Sequence, residues 1–233
     1  MSQYAIEISS ELLLAVKTKK DTGQYLEELE ALSLDELSIW LSSDKQRMAF
    51  WINVYNAFYQ ILRERNYNKP EIYRKKLFVI AGQNFSLDDV EHGVLRRYRY
   101  KYSLGYVANL FVSRVVKSLA VDKVDYRIHF ALNCGAKSCP PIAFYKEESI
   151  DEQLDLATQS FLESETDYDE EKKIVLTTIL FQWFRADFGG PKGIKKIYLD
   201  QLGKDISAYS IQYKKYSWED NLGNFVWIAF QLL

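Results

Sequence analysis

Apolar residues recur at helical spacing along most of the chain, and short continuous or alternating apolar runs interrupt them. Across residues 3–41 Ile, Leu and Tyr follow a helical rhythm that breaks near Asp21-Thr22-Gly23, which predicts two or three short helices. Ser43-x-x-Gln46 is a capping-box pattern opening a longer helix to about Arg65, and Tyr67-Asn68-Lys69-Pro70 ends it. Leu77 to Ala81, followed by Gly82, reads as a short buried strand, after which Ser86-x-x-Asp89 caps another helix. Helical spacing resumes over Asn109 to Leu119. Arg127 to Asn133 alternates as a strand does, with Ile128, Phe130 and Leu132 on one face and His129 on the other. Beyond it the pattern predicts a helix over Ser149 to Glu163 and a strand at Ile174-Val175-Leu176. A helix over Thr178 to Phe188, stopped by Gly189-Gly190-Pro191, precedes another over Ile194 to Leu202 and a last strand over Ser210 to Trp218.

This order defines an α+β fold class, helix-rich with a small mixed or antiparallel sheet. An N-terminal helical segment over residues 1–42 precedes one α+β domain over 43–233. With 233 residues the chain is long enough for one body with a sizeable core. A net charge of -2 gives no field that argues for nucleic acid or an acidic membrane surface. The compositional excess is aromatic, 17 Tyr, 13 Phe and 5 Trp, which suits a ring-built core and rim and supplies half-polar positions for a groove. The N-terminus has no cationic start, and Leu12 to Val16 is too brief a run for a signal or a span. Two cysteines make no disulfide framework, so the expected location is the cytoplasm.

On the helix from Asp44 to Arg65, Met48, Trp51, Tyr55, Phe58 and Leu62 form one stripe, while Phe50, Ile52, Val54 and Ala57 spread apolar character around the rest. The helix is therefore predicted to be central and buried on most sides. Asn53 and Asn56 lie opposite the stripe. A buried amide costs about 1–3 kcal/mol unless hydrogen-bonded, so the pair either lines a pocket and orients a histidine or ties the helix to a neighbouring loop. On the next helix Glu91 falls on the apolar stripe of Leu87, Val90, Val94 and Tyr98 and must be paired, protonated or facing a cavity. His92 points to a different face, and an arginine from Arg96, Arg97 and Arg99 is the expected partner of Glu91. The basic-aromatic run through Tyr102 can stack on single-stranded nucleic acid. The negative net charge favours reading these cations as helix-end residues.

Candidate chemistry concentrates in Cys134-Gly135-Ala136-Lys137-Ser138-Cys139-Pro140-Pro141, just after His129. Nucleophilic catalysis would use a Cys thiolate, a histidine base and an orienting Asn or Glu. A Cys2His2 metal set, Cys134, Cys139, His129 and His92, is formally complete but matches no tight zinc module. The thiols could also pair in redox chemistry, although the spacing is not C-x-x-C. The plain alternative is a glycine-containing loop with two half-buried thiols acting as small hydrophobes.

Four stretches carry a resemblance. They are Phe50-Trp51-Ile52-Asn53-x-Tyr55-Asn56-Ala57, Phe85 to Arg96, His129 to Pro141, and Phe181-x-Trp183-Phe184-x-x-Asp187-Phe188-Gly189. In this order they resemble the domain of unknown function 547 family over about residues 45–190. The resemblance groups Asn53, Asn56, Glu91, His92, His129, Cys134 and Asp187 as polar residues converging on one concave site, and implies no established reaction. It makes Cys134 the better candidate thiol, since some relatives carry Ser or Asp at the position of Cys139. The order of a buried helix and a His-bearing strand also loosely resembles papain-like and transglutaminase-like thiol folds, but Ala49 to Asn53 occupies the place of their helix-opening cysteine.

The expected function is a ligand- or peptide-binding module with an aromatic groove that includes Trp51, Tyr55, Trp183 and Phe184, joined by Asn56, His92, Arg96 and Asp187. The alternative is a thiol-dependent hydrolase or acyltransferase in which Cys134 attacks, His129 is the base and Asn53 or Glu91 orients. No cofactor, metal, nucleic acid or membrane span is expected, and the partner is a small molecule or peptide.

Overall fold

The computed structural model describes residues 2–226. Three helices open the chain: α1 (Ser2–Lys17) packs against the long α4 (Asp44–Glu64), and α2 (Gly23–Ala31) and α3 (Leu34–Trp40) pack on α1. The capping box at the start of α4 is complete: Gln46 N–H donates to Ser43 Oγ, and Ser43 N–H donates to Gln46 Oε1. Every residue of α4 from Met48 to Leu62 is buried, because apolar side chains occupy its whole circumference. It is the axis of the larger core.

A short α5 (Lys69–Arg74), capped by Asn68, leads into an antiparallel hairpin of β1 (Phe78–Ile80) and β2 (Gln83–Phe85). Its two-residue turn places Ala81 and Gly82 at positive φ, the geometry that matches strand twist. Backbone bonds from Ala81 N to Leu29 O and Gly82 N to Glu30 O fix the turn on the end of α2.

The helix predicted after Ser86 forms with a different winding. Residues Asp89–Leu95 are a π-helix, with Arg96 N–H bonded to Glu91 O and Tyr98 N–H to Gly93 O. Such i→i+5 turns are rare and concentrate at functional sites. Of the helix expected from Asn109, only α6 (Arg114–Leu119) forms.

The expected strand at Arg127 to Asn133 is absent; Tyr126–Phe130 is a 3₁₀ turn, with Asp125 accepting from Arg127 N–H. The alternation misled because two cores share this segment: Ile128 and Leu132 enter the α4 core, and Phe130 enters a second one. That second core gathers Phe161 of α7 (Ile150–Glu165), Phe181 of α8 (Leu180–Trp183) and Tyr198 of α9 (Gly190–Leu202). Val175 joins it from a three-stranded sheet in which β4 (Ile174–Thr177) pairs antiparallel with β3 (Asp167–Asp169) and parallel with β5 (Ser210–Tyr213). The predicted helix over Thr178 to Phe188 is reduced to one turn, and the last strand ends at Tyr213 rather than Trp218. The architecture is a helix-rich α+β single domain, with two small sheets among the described residues.

Candidate functional site

Where the two cores meet, a cavity of about 370 Å³ opens. Tyr55 from α4 and Tyr73 from α5 form part of its wall, and Asp88, Glu91 and His92 project from the π-helix and its N-cap. Opposite them stand His129, Trp183 and Phe184, with Tyr216 and Trp218 from the segment after β5. Lys101 and Tyr102 reach the rim from the loop that follows the π-helix. Glu91 and His92 share this cavity, contrary to the expectation of separate faces. More residues per turn in a π-helix narrow the angle between consecutive side chains.

Ser86 and Asp89 start the π-helix reciprocally: Ser86 N–H and Oγ–H donate to Asp89 Oδ2, and Asp89 N–H donates to Ser86 Oγ. At its other end Arg96 is fully buried and organises both histidines. Its Nε donates to Asp187 Oδ2 at 2.6 Å, and its Nη1 donates to His92 Nδ1 at 2.8 Å. A guanidinium cannot accept, so His92 Nδ1 is unprotonated and the proton of the neutral ring sits on Nε2, 3.7 Å from Asp88 Oδ1. Burial first, and then the Arg96 charge, hold the His92 pKa down at about 3.

His129 stacks on Phe184 with ring centroids 3.9 Å apart, and its Nε2 lies 2.9 Å from Asp187 Oδ2. Burial lowers its pKa against the opposing pull of Asp187, so the ring is neutral. Burial alone would raise the carboxyl of Asp187, but its contacts with His129 and Arg96 outweigh this and hold it ionised. The neutral imidazole therefore donates from Nε2 to the carboxylate and keeps Nδ1 as a lone pair. Among the described residues Nδ1 has no hydrogen-bond partner. The backbone of the rim loop covers this pair: a Cβ on Gly105 (φ +87°) would lie 2.5 Å from Asp187 Oδ1.

Glu91 does not pair with an arginine as expected. Its Oε2 accepts from Tyr55 Oη at 3.0 Å, and its Oε1 is 3.7 Å from the neutral His92. Arg96 is committed elsewhere, to Asp187 and His92, and Lys101 pairs with Asp88. Glu91 is thus a carboxylate without a cationic partner among the described residues. Burial raises the pKa of Asp88 against the pull of Lys101.

Cys134 and Cys139 are joined in a disulfide that forms part of the cavity wall. Cys134 has no thiol to attack with, which corrects its expected role as nucleophile and the role of His129 as its base. Both sulfurs are likewise spent for a Cys2His2 metal set. Tyr216 Oη lies 2.9 Å from Cys134 Sγ and 3.0 Å from Cys139 Sγ, and its hydroxyl is held protonated by burial. The bridge also removes the premise on which the cytoplasmic expectation rested, because disulfides persist chiefly in oxidising compartments.

Asn53 and Asn56 bind loop backbone and do not line the cavity. Asn53 Nδ2 donates to Tyr145 O at 2.9 Å, and Tyr145 N–H donates to Asn53 Oδ1 at 3.0 Å. Asn56 Nδ2 donates to Ala131 O, and Asn56 Oδ1 accepts from Asn133 N–H. Asn133 continues this chain into the cysteine loop, bonding Gly135 N–H and Pro140 O. Asn53 is therefore not an orienting partner of His129. Trp51 is displaced from the expected groove as well, packing in the core against Phe50 and Phe85. Arg96 and Asp187 stand behind His129 rather than on the cavity wall.

Tyr73, Asp88, Lys101, Tyr102, Tyr216 and Trp218 are cavity residues that the sequence did not single out for the site. Asp88 had a visible signal, an acid one helical turn before His92. Tyr216 and Trp218 had none, since they reach the cavity from beyond the last strand. Chemically the cavity wall offers the Glu91 carboxyl group, the His129 ring and a set of aromatic side chains. Among the described residues no three His, Cys, Asp or Glu side chains are arranged to hold a metal ion.

These features define a helix-rich α+β domain with a polar centre set in an aromatic cavity. The model of the family described as "Protein of unknown function, DUF547" matches residues 40–162, just over half of the chain, and the chain belongs to that family. The match takes in the stretches around Asn53, Glu91 and His129, and stops before Trp183 and Asp187. No curated protein and no solved structure matches the chain.

Proposed function

We propose that the chain is a binding module whose ligand is a small molecule or peptide group with an apolar or aromatic body and a cationic end. The observation that carries this reading is Glu91, a carboxylate facing an aromatic-walled cavity without a Lys or Arg partner among the described residues. Asp88 and Asp187 have Lys101 and Arg96, which leaves one negative charge for a ligand to answer. An ammonium or guanidinium desolvated in the cavity would find that charge at one end and ring faces around it, the arrangement that aromatic cages use for cations. The cavity volume of about 370 Å³ falls in the range that accepts small organic ligands.

Calorimetric titration with benzylamine, choline and an arginine-containing dipeptide, each beside a neutral analogue such as benzyl alcohol, tests the reading. The cationic member of a pair should bind, and Glu91→Gln should weaken it about tenfold or more, the size of a lost charge-assisted contact. Equal binding of neutral analogues, or binding unchanged in Glu91→Gln, would overturn it.

A further inference from the structure

Between Glu91 and Asp122 the sequence has no acidic residue, yet it carries Arg96, Arg97, Arg99, Lys101, Arg114 and Lys117 in a chain whose net charge is -2. Arg96 is buried and Lys101 is paired. Arg97, Arg99, Arg114 and Lys117 form no ion pair among the described residues. The same segment presents the most exposed apolar side chains described: Phe111 at 97% and Leu110 at 78% relative exposure, with Tyr102, Tyr106 and Val107 also exposed.

This exposure is built into the fold. Tyr100 N–H bonds to Val107 O and Asn109 N–H to Tyr98 O, which closes residues 98–109 into a hairpin-like loop. Ala186 N–H bonds to Leu104 O and ties the loop down over the Arg96–Asp187 pair. Asn109 Oδ1 then accepts from Phe111 N–H, and two residues later Ser113 caps α6 by accepting from Val116 N–H. Leu110 and Phe111 are held outward between two anchored points, beside Arg97 and Arg99 through the Tyr98 bond and three residues before Arg114.

We infer that this segment docks the chain on an anionic lipid bilayer, with Leu110 and Phe111 entering the headgroup boundary and the exposed cations Arg97, Arg114 and Lys117 facing lipid phosphates and carboxylates. A convex apolar tip ringed by cations and tyrosines matches an interface that is apolar below, negative at its surface and receptive to aromatic rings between. It is a peripheral attachment: among the described residues no helix is long and apolar enough to cross a membrane. Lys101 and Tyr102 belong both to this loop and to the cavity rim, so the docked face would adjoin the cavity mouth.

The test is co-sedimentation of the full chain with phosphatidylcholine vesicles, with and without a fraction of phosphatidylserine, at low and high salt. Binding should require phosphatidylserine and weaken with salt. Leu110→Ser with Phe111→Ser, and separately Arg97→Glu with Arg114→Glu, should each reduce it about tenfold or more. All four side chains are exposed, so circular dichroism and melting should stay unchanged. Failure to bind anionic vesicles would overturn the inference, as would sensitivity to the arginines with none to Leu110 and Phe111, which is the pattern of a purely charge-bound polyanion. Self-association abolished by the Leu110/Phe111 variant, without vesicle binding, would assign the patch to a second copy and overturn it equally.

Discussion

Arg96 Nε donates to Asp187 Oδ2 at 2.6 Å across 91 residues of sequence, and neither side chain has appreciable contact with solvent. Both histidines of the cavity wall are tied to this pair. Through Nη1 the same guanidinium sets the tautomer of His92, and through Oδ2 the same carboxylate sets that of His129. The wide turn of the π-helix brings Arg96 to this position, and the turns before α9 bring Asp187.

Removing one partner alone leaves the other charge buried and unpaired, which typically costs about 3–5 kcal/mol. Arg96→Met and Asp187→Leu should each destabilise by that order in urea denaturation. The double variant should lose clearly less than the sum, because an apolar pair replaces an ion pair at little net cost. Additive losses would show that the two charges do not answer each other.

Asn53 and Tyr145 supply a contrasting test. Two reciprocal hydrogen bonds satisfy the backbone of Tyr145 inside the core, so Asn53→Ala orphans both a buried N–H and a buried C=O. At about 1–3 kcal/mol for each group, the variant should lose roughly 2–6 kcal/mol of stability. Affinity for a cavity ligand should stay within about twofold at temperatures where the variant is folded, since Asn53 does not line the cavity.

The parts of this fold that were legible in sequence are those whose cause is local. The capping box of α4 and its apolar circumference act within a few residues, and both are realised. His129 shows the opposite case: alternation that reads as one strand is produced by side chains serving two separate cores. Glu91, His92, His129 and Cys134 stood out because of their chemistry, and the cavity does gather them. Their partners did not stand out. Neither the i→i+5 winding of the π-helix nor the disulfide has a distinctive local pattern, and the long separation of Asp187 from Arg96 hides their pairing from any periodicity. Tyr73, Tyr216 and Trp218 come from three-dimensional proximity alone.

The disulfide closes a short loop, with five residues of separation between Cys134 and Cys139. Loop-closure entropy for so short a segment is about 2 kcal/mol, on a chain-entropy view. Cys139→Ser should therefore lower the urea-denaturation stability by that order, and dithiothreitol should do the same to the wild-type chain but not to the variant. Tyr216 would lose its disulfide contacts, so ligand affinity in the cavity is expected to fall by a few-fold in both cases. An unchanged melting curve under reductant would mean that the bridge is absent in solution.

Two buried neutral histidines make stability depend on pH in a defined direction. His92 is held at about 3 in the folded chain against 6.5 when unfolded, chiefly by burial, and His129 is lowered in the same sense. Below about pH 6.5 the unfolded chain takes up protons that the folded chain refuses, so stability is complete above that pH and falls as the solution is acidified. His92 contributes a limiting slope of about 1.4 kcal/mol per pH unit, and His129 adds to it in the same direction. The window from about pH 6.5 to 5 is the one to read, because the ordinary aspartate value of 3.8 lies below it, and the two buried carboxyls depart from that value with opposite signs for stability, Asp88 upward and Asp187 downward. In urea titrations across this window the wild-type chain should lose stability steadily. His92→Gln, which keeps an acceptor for Arg96 Nη1, should lose it at a clearly smaller slope. A slope unchanged by this substitution would mean that His92 is already protonated in the folded chain and that the guanidinium of Arg96 is not its donor.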